Sequence, residues 1–320
     1  MLNKIKTRIK NYIRHEIQNG FDRLAESPRP HDTQSWEDRI TLQIPPEPFA
    51  NLGEVSENRT TPTYIFPEAM GLEKSVDAYI ENDRFPLPCT ADREGYCDSR
   101  HFEYWLSGLG DYLNIRKNLK NKGYEISPGH SVYDMGCASG RVIRHFLCQE
   151  EGLDLWASDI NSRHVEWLLK YLRGNIRVFQ NHAMPHLPLE DNALDLVYAF
   201  SVFSHIDAFD LAWLLELRRV LKPGGLAYLT THTDHTWSIM KAGDPIYDAL
   251  LDHPDFSPEL PKSELPSEKI VYRWQTDNCY RASVFYDTEY IRHVWGKYYE
   301  VLDIIPEGHF YQDVILLRKN

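Results

Sequence analysis

The chain has 320 residues, 42% of them hydrophobic and 12% aromatic, with 35 Lys and Arg against 47 Asp and Glu for a net charge of -12. That mixture can bury a large core and excludes a wholly disordered chain, and the acidic balance argues against a chain-wide nucleic-acid footprint. No stretch approaches the roughly eighteen uninterrupted apolar residues of a membrane-spanning helix, and no apolar core of signal-peptide type follows Lys10. The five cysteines are scattered and never paired as C-x-x-C, which predicts a reducing, cytoplasmic setting without structural zinc.

At the start of the chain Leu2, Ile5, Ile9, Ile13 and Ile17 recur at steps of three and four between Lys4, Lys6, Arg8, Lys10 and Arg14. The spacing predicts a basic amphipathic helix over residues 1–20. Its apolar stripe has three possible destinations: the parent domain, a second subunit, or an anionic membrane surface. Residues 21–90 are rich in proline and polar side chains and read as an irregular extension. From about residue 91 helices and strands alternate. Strands are expected at 131–134, 153–159, 176–180, 194–200 and 226–231, with helices between them, which implies a parallel sheet covered on both faces. Residues 232–283 are too long for an ordinary connection and read as an inserted cap. A last helix near 288–295 and strands at 299–305 and 312–318 follow, and the short link 306–311 forces that final pair to be antiparallel. The expectation is thus a seven-stranded α/β domain over 91–320 whose last strand is antiparallel.

The run Asp134-Met135-Gly136-Cys137-Ala138-Ser139-Gly140-Arg141 couples the first strand to a glycine turn and a helix. In such sheets ligands bind beyond the carboxyl ends of the strands, where glycine lets the backbone approach, so a nucleotide-type ligand is expected. Asp159 ends the second strand nineteen residues after Gly140, where a carboxylate can accept both ribose hydroxyls. An ionised Asp134 would repel a pyrophosphate and attract an ammonium or sulfonium. The Gly136-x-x-x-Gly140 spacing also departs from the dinucleotide pattern.

With these motifs in order, the stretch from about residue 92 to the end resembles a class I S-adenosylmethionine-dependent methyltransferase. Asn181 with Pro185 and Leu187-Pro188 resembles the adenine-side loop, and residues 201–205, Ser-Val-Phe-Ser-His, resemble the exit of the fourth strand. Residues 217–225, Leu-Arg-Arg-Val-Leu-Lys-Pro-Gly-Gly, match the turn into the fifth, although Ala138 replaces the more usual middle glycine. The resemblance implies a Rossmann-like fold and S-adenosyl-L-methionine as cofactor. The cofactor residues it implies are Asp134, Gly136, Cys137, Ala138, Gly140, Asp159, Ile160, Asn181, His182, Phe200 and Ser201. Within the superfamily the Gly136–Arg141 loop, the Ser201–His205 exit and the C-terminal Tyr311-Gln312-Asp313 together look similar to bacterial enzymes associated with glycan or lipid-linked sugar assembly.

Methyl transfer to a hydroxyl needs a base, and His205, His232 and His309 all fall at the ligand edge by topology. These three are the candidate catalytic residues, and no metal site is expected. The expected acceptor is a sugar, glycan or other small molecule, with N- or C-methylation, or a non-catalytic scaffold role, as alternatives. Trp237, Tyr247, Phe256, Tyr272, Trp274 and Tyr280 in the insertion offer flat faces to such an acceptor or else cover the sheet edge.

Overall fold

Alternation along each strand decides which face of the sheet its residues enter. Val132, Leu196 and Tyr228 go to one buried cluster and Tyr133, Val197 and Leu229 to the other, the period of two that a sheet covered on both faces requires. The computed structural model describes Leu52 and residues 71–258, 264–275 and 280–320. Residues Phe49–Asn320 form one unit by their contacts. The helix expected over 1–20, and the expected extension up to residue 70 apart from Leu52, lie outside the described residues.

The element order is α1 (Val76–Asn82), a 3-10 turn (Thr90–Arg93), α2 (His101–Asn121), β1 (Ser131–Met135), α3 (Ile143–Gln149), β2 (Asp154–Asp159), α4 (Ser162–Tyr171), β3 (Ile176–Gln180), β4 (Leu194–Ala199), α5 (Asp210–Val220) and β5 (Leu221–Thr233). After these come α6 (Asp234–Ile239), α7 (Pro245–Leu251), β6 (Lys269–Arg273), β7 (Ala282–Tyr286), α8 (Thr288–Val294), β8 (Glu300–His309) and β9 (Gln312–Arg318). Strands β3, β2, β1, β4 and β5 lie side by side and parallel. Their carboxyl ends therefore share one edge. Strand β9 runs antiparallel against residues 226–231 of β5, and β8 pairs antiparallel with β9.

This is the expected Rossmann-like sheet with an antiparallel strand, but among the described residues it has nine strands rather than seven. The two extra ones are β6, inside the expected insertion, and β7, which runs past its expected end at residue 283. Strand β7 takes over from β9 at the end of β5, pairing in parallel with His232 and Thr233. The expected turn at Lys222–Gly225 is instead an irregularity inside β5, where the pairing shifts from Leu194–Leu221 to Leu196–Leu226. Within the expected irregular stretch 21–90, residues 76–82 form α1, capped by the Ser75 hydroxyl, which accepts from the Ala78 N–H. Proline content obscured this turn of helix because Pro86 and Pro88 stand just after it.

Cores form on both faces. Trp105, Leu109, Phe146 and Leu168 from α2, α3 and α4 pack one side, and Trp213, Leu217, Ile291 and Trp295 pack the other. The insertion closes a small core of its own around Trp237, Tyr247, Phe256 and Tyr272. Trp237 is fully buried, so these four rings hold the insertion together instead of offering their faces to an acceptor. Among the described residues no helix is long and apolar enough to cross a membrane.

Candidate active site

Beyond Met135 the chain turns through Gly136 (φ +75°) and Ala138 (φ +45°). A Cβ at Gly136 would stand 2.4 Å from Val202 Cγ2, so both backbone angle and space demand glycine there. The Gly136 and Cys137 N–H groups both donate to the Ser158 carbonyl at 2.9 Å, which ties the loop to β2. Asp159 continues that tie, with one carboxylate oxygen accepting from the Ala138 N–H and the other from the Asn161 N–H, each at 2.8 Å. Each oxygen keeps a second lone pair, enough for a ribose diol. Asn181 is set beside it, its side-chain oxygen accepting from the Ser158 hydroxyl at 3.0 Å.

These groups open on a cleft of about 1460 Å³. That exceeds the about 300–1,000 Å³ of a site for one drug-sized ligand and suits two molecules together. Ten of the expected cofactor residues, Asp134, Gly136, Cys137, Ala138, Asp159, Ile160, Asn181, His182, Phe200 and Ser201, line it. Gly140 does not. Its φ is +80°, and a Cβ there would press at 3.0 Å on Leu172 Cδ2. Gly140 therefore serves the packing of the turn against α4.

Asp134 differs electrostatically from its expected ionised state. Burial pushes its carboxyl up to about 8, with Asp159 adding to that push, against the opposing pull of a 2.9 Å hydrogen bond from the Tyr198 hydroxyl and the charge of Arg141. The Cys137 thiol is pushed well up by burial and by both carboxylates, as befits a packing residue.

His205 and His309 line the cleft and His232 does not. The His232 ring lies between Phe285 and Tyr311, with Gln312 Nε2 3.3 Å from its Nε2, and burial drives its pKa down to about 3. The expectation for His232 is corrected for a topological reason: β7, pairing with this end of β5, brings Phe285 over the ring. His205 donates from Nδ1 to the Ala282 carbonyl at 2.6 Å, and burial lowers its pKa although that bond opposes the change. His309 has a charged partner instead. Its Nδ1 lies 2.9 Å from Asp111 Oδ1 in α2, and Asp111 Oδ2 lies 2.5 Å from Arg141. Burial works to raise the Asp111 carboxyl, but His309 and Arg141 outweigh it and hold the group below its ordinary value.

Asp111 and the cleft residues Tyr104, Arg141 and His164 escaped the sequence reading. The Tyr104 hydroxyl and both ring nitrogens of His164 are buried in the cleft wall without a hydrogen-bond partner among the described residues, although His164 Nδ1 is 3.4 Å from Asp159 Oδ1. Orphaned polar atoms beside a cation-suited carboxyl and a diol-suited carboxylate fit a polar, positively charged nucleoside. Arg141 stands inside the quoted motif and was the accessible signal. Of the insertion's aromatics, Trp274 and Tyr280 reach the cleft.

Residues 133–229, the stretch that builds this edge of the sheet, match the family described as Methyltransferase domain. The chain carries a class I S-adenosylmethionine-dependent methyltransferase domain. Proteins similar to this chain include the sterol 24-C-methyltransferase erg6 of Schizosaccharomyces pombe, 28% identical over 161 residues, which are 48% of this chain and 42% of that one. The methyltransferase GfsG of Streptomyces halstedii is 27% identical over 142 residues, 42% of this chain and 50% of that one. The match thus spans half or less of each relative's length. Among solved structures, a SAM-dependent methyltransferase from Aquifex aeolicus aligns at 18% identity and TM-score 0.41, covering 66% of this chain and 93% of that one.

Proposed function

We propose that this methyltransferase transfers a methyl group to a hydroxyl of a sugar, glycan or other small molecule. The observation that carries the reading is a single cleft lined both by the Gly136 loop with Asp159 and by the imidazoles of His205 and His309. In this reading Asp159 accepts the ribose hydroxyls, Asn181, His182 and Ile160 flank the base, and Asp134 faces the cationic amino acid end of the cofactor. Phe200 and Ser201 border the reacting end. When bound, the cofactor supplies an electrophilic methyl group on a positively charged sulfur. The chain's own tasks are then to orient two molecules, exclude water and accept one proton from the acceptor.

Similarity to a protein named as a sterol 24-C-methyltransferase favours transfer to carbon as the second reading. The test is incubation of the purified chain with cofactor labelled with ¹³C in the methyl group and with sugar-containing cell extract. The chemical shift of the labelled carbon in the product reports its new neighbour. A methoxyl carbon is expected. A methyl on carbon or nitrogen would replace the hydroxyl reading, and intact cofactor binding without any labelled product would favour a scaffold.

A further inference from the structure

Three elements far apart in sequence meet at one buried carboxylate. Asp111 from α2 receives His309 of the β8–β9 hairpin on one oxygen at 2.9 Å and Arg141 of the motif loop on the other at 2.5 Å. The side chains of Asp111 and His309 are 8% and 7% exposed and that of Arg141 is 12% exposed. Phe200 and Phe310 close other sides of the imidazole, with ring centroids at 4.7 and 4.8 Å. Arg141 is further held by stacking against Tyr96 and Phe200.

The charge state of this cluster fixes the direction of its hydrogen bonds. A guanidinium can only donate, so Asp111 remains a carboxylate and accepts from both sides. His309 must then carry its proton on Nδ1, which leaves the lone pair on Nε2. His205 also carries its proton on Nδ1, but its partner is the neutral Ala282 carbonyl. When an imidazole gains a second proton, a carboxylate at 2.9 Å stabilises the new charge much more than a carbonyl dipole does.

We propose that Asp111 and Arg141 are positioning residues that lock His309 in the Nδ1–H tautomer and make it, rather than His205, the base for the acceptor. The inference rests on the hydroxyl reading above. In the step itself the acceptor oxygen bonds to the methyl carbon while its proton passes to His309 Nε2. The carbon–sulfur electron pair leaves with sulfur, so a sulfonium and a neutral imidazole become a neutral thioether and an imidazolium beside Asp111. The proton is then lost to solvent.

The test is ¹⁵N-histidine NMR of the full chain with S-adenosylhomocysteine added, the His309 signals being assigned by their loss in His309→Gln. Wild type should give the shift pair of an Nδ1–H, Nε2-bare ring. Asp111→Asn, which can offer an N–H to Nδ1, should move the proton to Nε2. Arg141→Met should blur the preference, and Arg141→Lys should restore it. Turnover of the acceptor found with the labelled methyl should fall about 10²–10⁴-fold in Asp111→Asn, with calorimetric affinity for S-adenosylhomocysteine within about twofold of wild type. An Nε2–H ring in wild type, or a tautomer unmoved by Asp111→Asn in protein that still binds S-adenosylhomocysteine, overturns the proposal. If Asp111→Asn fails to fold, Arg141→Met and Arg141→Lys decide it by the same signals. A methyl found on carbon or nitrogen with the tautomer shift as expected would instead overturn the hydroxyl reading and leave the positioning intact.

Discussion

Asp134 illustrates how one buried carboxyl links ligand charge to solution pH. Its pKa is pushed up to about 8 by burial, so in the empty cleft it is largely protonated at neutral pH. A cationic ligand that draws on its charge must therefore release a proton. Raising the pH from 6 to 8 should strengthen cofactor binding by up to about tenfold per unit, and the gain should flatten above the pKa. Calorimetry in buffers of different ionisation enthalpy should detect the released proton. Asp134→Asn should bind more weakly and without that pH dependence, whereas a flat wild-type profile would mean that the ligand's charge is met elsewhere. Folding stability responds to the same group in the opposite sense. The folded chain keeps a proton that an unfolded carboxyl loses near pH 3.9, so Asp134 lowers stability progressively as pH rises from there to about 8.

Contact between α2 and the motif loop depends on a missing side chain. A Cβ at Gly108 would stand 2.0 Å from the Arg141 carbonyl oxygen, a backbone atom that cannot swing aside. Alanine at an exposed helical glycine gains about 1 kcal/mol, but overpacking typically costs about 1–3 kcal/mol. With backbone as the obstacle the second effect should win. Gly108→Ala is expected to lower the urea midpoint and, by pushing α2 away, to separate Asp111, one turn further along, from Arg141. Turnover should fall with it, as in Asp111→Asn. A midpoint at or above wild type would show that the helix and the loop move apart without cost.

Across the molecule, the segment carrying α1 is fastened to the sheet domain by ionic as well as apolar contacts. Arg144 of α3 makes two hydrogen bonds to Asp83, at 2.7 and 2.9 Å, with both side chains wholly buried, and Trp105 donates to the same carboxylate at 2.8 Å. Removing one partner strands the other charge, so Asp83→Ala should cost about 3–5 kcal/mol in denaturant unfolding. Burial opposes the Asp83 charge, but Arg144 prevails and the pKa is lowered, as is that of Asp111. A depressed carboxylate stabilises the fold above its unfolded pKa near 4, and that contribution is lost as pH falls through the folded value. The urea midpoint should accordingly drop steeply below about pH 4. Asp83→Ala should lack part of this drop, and parallel wild-type and variant profiles would show that the pair is silent.

The sequence by itself determined the parts of this protein whose cause is local. The strand–glycine–helix run through Asp134 and Gly136, the acid at Asp159 and the alternation of helix and strand are written in consecutive residues with periods of two or about 3.6. They sufficed for the sheet and the cofactor class, and ten of the eleven residues expected to hold the cofactor line the cleft. Only the tertiary structure decided which strand-end histidine meets the cleft. Asp111 and His309 are 198 residues apart, and no spacing rule connects a helix before the sheet with a hairpin at its end. His232 looked equivalent to His309 along the chain, yet β7, at the end of the insertion, pairs beside it and covers its ring. Burial and charge partners depend on which elements pack together across the whole chain, and those long-range neighbours set the chemistry of each side chain.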